Sequence, residues 1–312
     1  MKIVFMGTPS HAIPVLRSLL DSSHDVVAVY SKPDAPSGRG KRQQIHLLAE
    51  YADECALPVF RPSSLTSRLV EQEILGHAPD VIVVAAYGLI LPDNILNLPT
   101  FGCLNVHPSL LPKYRGSSPV SSAILNGDDD TGVTIMQLDS GVDTGPIVEN
   151  KVVKIELLHD AISLTQKLFE EGAVILADVL SKLDIGLIDV RSQTETGASI
   201  TKKLVKEDGE IDWDLSAVRI ERQIRACRPW PGTFTYWNGK LIKIIEGSVV
   251  EVKAHSSYPT GTVVSFTDDN YVISTGDGVI GIHRIQMEGR IVMNASNFVL
   301  GYKDFVGSQL GR

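Results

Sequence analysis

Long apolar runs are missing from this chain of 312 residues. None reaches the ~18–20 residues that a membrane-spanning helix needs. The longest candidate, Val81 to Leu91, is interrupted by Tyr87 and Gly88. The opening Met1-Lys2-Ile3-Val4-Phe5-Met6-Gly7 has too short an apolar stretch for a secretory leader and runs into Pro9 and His11. A cytoplasmic protein without a membrane partner is expected. Cysteine is scarce: Cys55, Cys103 and Cys227 stand far apart, an odd number without CxxC spacing. That argues against a disulfide framework or a zinc site, and the thiols read as isolated, two of them buried. An excess of basic charge is also absent, since the net charge is −8. The deficit lies in residues 1–180, with 13 Lys+Arg against 21 Asp+Glu; residues 201–312 are balanced at 14 against 13. A local basic stripe can coexist with an acidic total, so an RNA partner is neither shown nor excluded. Finally, the dinucleotide fingerprint GxGxxG is missing. Gly7-Thr8-Pro9 offers one glycine and then proline, which disfavours NAD or FAD.

What is present is a hydrophobic content of 43%, enough for a real core, and a length that predicts two domains. Residues 2–6 (KIVFM) form a short apolar strand, followed by a turn and an amphipathic stretch from Ala12 to Leu20. Further buried-type strands follow at Asp25 to Ser31, Val81 to Ala86 and Cys103 to Val106, with a helical pattern from Thr66 to Leu75. Apolar strands alternating with helices predict a mostly parallel sheet covered on both faces. From Gly132 the pattern becomes a strand, a turn around Asp139-Ser140-Gly141 and a second strand near Pro146 to Val153, and Ala161 to Leu183 reads as a long helix closing the domain. A polar, glycine-containing stretch reads as a linker. Beyond it, a helix from Leu215 to Ala226 precedes short strands with turn signals between Phe234 and Gln286, the spacing of a small β-barrel. The expected fold is α/β: a doubly wound, mostly parallel, Rossmann-like sheet domain (1–183), a linker (184–205), and a small OB-like β-barrel domain (206–312).

Three segments carry candidate chemistry. In Asn105-Val106-His107-Pro108, residues i and i+2 of a strand project to one face, and Pro108 ends the strand. Asn105 and His107 therefore stand side by side at a strand terminus, where open α/β sheets keep their sites. An amide and an imidazole together can donate hydrogen bonds to an oxygen that gains negative charge as a carbonyl is attacked. Taken alone, N-x-H is more often an ordinary structural histidine at a strand end. Asp139-Ser140-Gly141-Val142-Asp143-Thr144-Gly145 lacks the spacing of a calcium loop and by itself reads as a hairpin turn. A carboxylate there can orient a histidine or accept a proton from an amine. Lys32 to Arg42 (KPDAPSGRGKR) has two prolines, two glycines and four basic residues. It reads as an exposed, mobile loop: either a solvated linker or a basic arm for phosphate.

The order and wording of these segments are more specific than any one of them. NVHPSLLPKYRG (105–116) and GVTIMQLDSGVDTGPI (132–147) closely resemble the formyltransferase family that uses 10-formyltetrahydrofolate, and the resemblance continues through KPDAPSGRGK, KEDGEIDW (206–213), RACRPWPGTFT (225–235) and TGDGVIGIHRIQMEG (275–289). It covers nearly the whole chain. It implies a catalytic trio of Asn105, His107 and Asp143, a folate-contacting stretch of Ser109, Leu110, Leu111 and Pro112, and tRNA contacts from a loop bearing Arg39, Lys41 and Arg42. It also implies a C-terminal tRNA-contacting domain. The implied reaction is direct formyl transfer from 10-formyltetrahydrofolate to the amine of initiator methionyl-tRNA. In it, Asn105 and protonated His107 stabilise the oxyanion, while Asp143 holds His107 and relays the amine proton. No metal is implied, and a monomer is expected. The chain departs from the family pattern at RQQIHLLAEYA (42–52), where many members carry a Pro-Val pair, and at RGSSP (115–119). The nearest alternative is a formyltransferase acting on a small amine such as a nucleotide-sugar amine. A formyltetrahydrofolate hydrolase and a non-catalytic RNA-binding protein on the same scaffold are more distant.

Overall fold

The computed structural model describes residues 1–37, 42–44, 46–251, 258–267 and 270–311. The chain divides into two compact units. Unit 1 holds Met1–Pro119, Asp130–Lys154 and Leu164–Thr201; unit 2 holds Val120–Asp129, Ile155–Ser163 and Lys202–Arg312.

Unit 1 is built on a seven-stranded sheet. In chain order its strands are β1 (Lys2–Gly7), β2 (Asp25–Tyr30), β5 (Val59–Phe60), β6 (Val81–Ala85), β7 (Cys103–His107), β9 (Asp130–Gln137) and β10 (Ile147–Lys154). The spatial order is β10-β9-β7-β6-β1-β2-β5. The pairs from β5 to β7 are parallel, while β9 runs antiparallel to β7, and β10 to β9. Strands buried on both faces need apolar residues at every position. In β1, Ile3 and Phe5 enter one core and Val4 and Met6 the other; β6 divides Val81, Val83 and Ala85 from Ile82 and Val84 in the same way. Helices α1 (Ile13–Leu20), α2 (Leu47–Glu54), α3 (Arg68–Gly76) and α4 (Asp93–Leu96) lie in the crossovers. The long α6 (Ala161–Asp184), whose residues from Leu164 on belong to this unit, packs closely on β7 and β9. Gly172 permits the approach, because a Cβ there would come 2.6 Å from Val106 Cγ1 and 3.0 Å from Val133 Cγ2.

Unit 2 contains α5 (Pro119–Asn126) from Val120 on, α7 (Ala217–Ala226) and an antiparallel sheet of β12 (Thr233–Trp237), β13 (Lys240–Val250), β16 (Val279–Met287), β15 (Asn270–Ser274) and β14 (Val263–Thr267), in that order. The short β17 (Met293–Asn294) pairs β16 and leads into α8 (Ala295–Gly301). The C-terminal segment links the two outer strands: Val263 N–H donates to Ser308 O on one side, and Gly311 N–H donates to Tyr236 O on the other. This closes the sheet, as a barrel requires. Trp237 anchors the core, edge-on to Phe305 and Phe298 at centroid distances of 5.3 and 6.1 Å. Ser121 Oγ donates to Ala226 O at 2.8 Å, Arg225 Nη1 to His159 O at 2.9 Å, and Arg228 pairs with Asp160 at 3.2 Å. Two short segments from the middle of the chain are thereby fastened to its C-terminal part.

Two expectations need correction. Residues 184–205 are not a free linker, because 188–201 fold back onto unit 1: Arg191 exchanges backbone hydrogen bonds with Ile147 at 2.8 Å, and β11 (Ile200–Thr201) pairs β8 (Arg115–Gly116). Polar side chains and glycines marked the stretch as irregular, and irregular backbone can still be fully bonded. Nor is the 32–42 segment irregular throughout, since β3 (Ala35–Ser37) and β4 (Arg42–Gln44) form an antiparallel pair. Proline holds φ near the extended range, so Pro36 suits a strand flank as well as a loop. Two of the three cysteines are buried, as expected: they are Cys103 and Cys227, and Cys55 is exposed. Among the described residues no helix is long and apolar enough to cross a membrane.

Candidate active site

Alternation along β7 places the first two site residues. Leu104 and Val106 enter the core beneath α6, while Cys103 enters the opposite one, so Asn105 and His107 share the face of Cys103. Asn105 is half-buried, and its amide has no hydrogen-bond partner among the described residues. His107 ends the strand and is only 4% exposed. Its Nε2 lies 3.0 Å from the Tyr114 carbonyl. A carbonyl only accepts, so Nε2 carries a proton and the ring presents Nδ1 to the site. Nδ1 stands 3.6 Å from Asp143 Oδ2. The same carboxylate oxygen accepts the Gly116 N–H at 2.8 Å. The sequence-predicted trio is thus brought together: Asn105 two positions along the strand, Asp143 against the ring.

Asp143 reaches this place on a loop that requires unusual backbone. Its φ is 53°, in the left-handed region that L-residues rarely adopt. A Cβ at Gly145 would collide with the Gln137 carbonyl, so the loop lies flat on the end of β9 only because that position is glycine.

The segment after His107 is tightly bonded. Ser109 is fully buried, and its hydroxyl donates to Lys113 O at 2.7 Å. Thr134, which stands opposite His107 in the β7–β9 ladder, donates through Oγ1 to Ser109 O at 2.6 Å and accepts the Leu111 N–H at 3.2 Å. Leu111 packs with Met136 and Ile147. Leu110 and Pro112 are half-buried. Of the predicted tRNA residues, Arg39 and Lys41 lie outside the described residues, and Arg42 begins β4.

Several residues that hold the site were not anticipated: the Tyr114 carbonyl, the Gly116 amide, Thr134, and Gln193 with Ser199 in the stretch expected to be a linker. The first two act through backbone, which no residue type announces. The 115–116 segment offered one signal, a glycine after arginine. A Cβ at Gly116 would stand 2.6 Å from Thr201 O.

The chemistry on offer is polar and non-covalent. Ser109 is committed to Lys113, and burial pushes the Cys103 thiol up to about 12, far from a thiolate at neutral pH. Among the described residues no three His, Cys, Asp or Glu side chains gather as a metal site. An amide, an imidazole and a carboxylate gathered at the carboxyl end of a doubly wound sheet are suited to polarising a carbonyl under nucleophilic attack.

The class narrows on comparison with known proteins. Residues 1–180 match the formyl transferase family and residues 203–303 the formyl transferase C-terminal domain. A methionyl-tRNA formyltransferase of Coxiella burnetii is 40% identical over 97% of this chain and 96% of its own length, and one of Pseudoalteromonas translucida is 40% identical over 100% and 98%. Among solved structures, HypX from Aquifex aeolicus in complex with tetrahydrofolic acid superposes with a TM-score of 0.66 at 19% identity, over 98% of this chain and 48% of that one. A methionyl-tRNA formyltransferase from Clostridium thermocellum superposes with a TM-score of 0.57 at 17% identity, over 80% and 94%. The chain belongs to the formyl transferase family and, within it, to the methionyl-tRNA formyltransferases.

Proposed function

We propose that this chain moves the formyl group of 10-formyltetrahydrofolate onto the free amine of methionine esterified to initiator tRNA, in the cytoplasm and as a monomer. The observation that carries the reading is the convergence of the Asn105 amide, unpartnered among the described residues, with His107 Nδ1 and the Asp143 carboxylate. Identity of 40% to methionyl-tRNA formyltransferases along nearly the whole chain favours it over a small-amine acceptor.

The donor set fits a folate formyl donor, because two hydrogen-bond donors face one small region and no side-chain nucleophile competes. When bound, the folate supplies an activated formyl carbon. Backbone of residues 109–112, with Leu110 and Pro112, would hold it, since Ser109 and Leu111 point inward. Asn105 Nδ2–H and a proton on His107 Nδ1 donate to the formyl oxygen as it gains negative charge. They are fixed before the reaction, so little reorganisation is needed. Asp143 keeps the ring in place, takes the proton that the attacking amine loses and passes it to N10 of the folate as the bond from N10 to the formyl carbon breaks and tetrahydrofolate leaves. Arg39, Lys41 and Arg42, together with unit 2, are assigned to tRNA.

The test incubates the protein with labelled 10-formyltetrahydrofolate and, separately, methionyl initiator tRNA, a nucleotide-sugar amine, or buffer. Label is expected on the tRNA-borne methionine only. Faster transfer to the sugar amine, or release as formate in buffer alone, overturns the reading.

A further inference from the structure

Residues 191–201 fall between the two regions that match the family, yet they hold both groups that hold His107. We propose that this strap, through Gln193 and Ser199, positions the two partners of the His107 ring and so sets the geometry of the trio; Gln193 is a positioning residue. The inference rests on the role proposed above for Asn105, His107 and Asp143.

The Asp143 side comes first. Gln193 Nε2 donates to Asp143 O at 2.8 Å and to Gly145 O at 2.7 Å, using both amide protons on the backbone that flanks the carboxylate. Gln193 Oε1 accepts from Arg115 Nε at 3.0 Å. Two carbonyls and one guanidinium admit only this orientation of the amide. Arg115 is itself buried, 5% exposed, and is held from its other side by Glu195 at 3.1 Å. Arg115 also precedes Gly116, whose N–H bonds Asp143 Oδ2. The clamp therefore fixes the Asp143 backbone and the donor that its carboxylate leans on.

Ser199 serves the Tyr114 side. Its hydroxyl accepts the Tyr114 N–H at 2.8 Å, and its carbonyl accepts the Arg115 N–H at 2.8 Å. The Tyr114 carbonyl is the acceptor of His107 Nε2. Tyr114 and Asp143 both have positive φ, 64° and 53°. Non-glycine residues persist in that region when surrounding bonds over-determine them, and at each site the strap supplies one of those bonds, from Gln193 to Asp143 O and from Ser199 to Tyr114 N–H. The strap is tied at each end: Arg191 to Ile147, and Ile200–Thr201 to Arg115–Gly116.

Four variants of the full chain separate positioning from mere support. Gln193→Glu keeps an oxygen for Arg115 but sets an acceptor against the Asp143 and Gly145 carbonyls. Gln193→Leu removes the clamp, and Ser199→Ala removes only the acceptor for Tyr114. Thr194→Ala changes an exposed residue of the same strap. Two readouts are taken: kcat and KM with methionyl-tRNA and 10-formyltetrahydrofolate, and the ring 15N resonances of His107 without substrate, assigned with His107→Gln. Sub-ångström misplacement of reacting groups lowers turnover steeply, so both Gln193 variants should lose kcat by roughly 10–100-fold with KM within about threefold. Their His107 resonances should shift, those of Ser199→Ala should shift less, and Thr194→Ala should match wild type. Wild-type resonances and kcat in Gln193→Glu overturn the proposal. So does a loss of kcat no larger than the loss of folded protein measured by circular dichroism. If Gln193→Leu does not fold, Gln193→Glu and Ser199→Ala still decide. If wild type does not formylate methionyl-tRNA, the function proposed above fails, while the ring resonances still judge the strap.

Discussion

The histidine at the centre of the site is nearly solvent-free and meets an acceptor at each nitrogen, the Tyr114 carbonyl at Nε2 and Asp143 at Nδ1. Such a ring is held in one orientation, and the Asn105 amide, without a partner among the described residues, is the complementary donor. Removing one donor to a developing negative charge costs on the order of 10²–10³ in turnover, so Asn105→Ala and His107→Ala should each lose that much kcat while circular dichroism stays native. Asp143→Asn keeps an oxygen for the Gly116 N–H and loses the proton acceptor, so its loss should be similar and should not be rescued at higher substrate concentration. Turnover near wild type in any two of these variants dismisses the assignment. The i, i+2 placement of Asn105 and His107 was legible in the sequence, because strand alternation is a local rule. The contribution of Asp143 was legible only by resemblance, since the loop conformation that brings it to His107 depends on Gln193, fifty positions later and in another element. A second residue sets a pH limit. Burial against Phe169, at a ring distance of 4.8 Å, lowers His11 to about 4. The unfolded chain takes up that proton near 6.5, so the neutral-state stability is complete above that pH and is lost as pH falls toward 4. The loss from this residue is at most roughly 3 kcal/mol. Urea unfolding across that range should show a flatter pH slope in His11→Leu than in wild type; parallel slopes would exclude His11 as the titrating group.

At the scale of elements, strands and hairpins were easier to read than short helices. The β9–β10 hairpin followed from β-branched residues around a turn, and β1, β2, β6 and β7 from continuous apolar runs. Helices α5 and α8 were not anticipated. PVSSAILN and ASNFVLG are short and contain serine and asparagine, which favour caps and turns over helix interiors. Tertiary burial sustains them: Ala123 and Ile124 in α5 and Phe298 in α8 are almost fully buried. The close packing of α6 on β7 was equally invisible, because a glycine in a helical pattern signals only a weak helix former. Here it is a spacing device for the strand that carries Asn105 and His107. Gly172→Ala puts a methyl group against Val106 and Val133, and overpacking of this kind costs about 1–3 kcal/mol. Urea titration should show the midpoint falling with an unchanged slope. An increase in stability, as expected for alanine in an ordinary helix interior, would mean that the helix can move away from the sheet without penalty.

At the scale of the whole molecule, the chain passes between its two units more than once. The chain leaves unit 1 after Pro119, returns at Asp130, leaves again after Lys154, returns at Leu164 and departs finally after Thr201. The composition change near residue 184 marked where the fold texture alters, and a linear reading places one boundary there. It could not reveal that 120–129 and 155–163 belong with the C-terminal part, because those segments lie inside an otherwise continuous α/β pattern. The interleaving has a thermodynamic consequence. Each excursion joins the end of one unit-1 strand or helix to a segment that belongs to unit 2: α5 runs into β9, and β10 runs through 155–163 into α6. Melting unit 2 therefore frees the ends of β9, β10 and α6 and exposes Val120, Ala123 and Ile124, so its unfolding carries part of the cost of unfolding unit 1. Cooperative units follow such chain connections more than they follow linear order. The full chain should unfold in one calorimetric transition, with calorimetric and van't Hoff enthalpies in agreement. The same reasoning predicts that a chain ending at Thr201, although it keeps the strap and the trio, exposes the apolar side of α5 and aggregates at concentrations where the full chain stays monodisperse. Scanning calorimetry and light scattering check both statements. Two well-separated transitions, the lower one leaving His107 ring resonances unchanged, would show that the crossings carry no coupling and that the units fold independently.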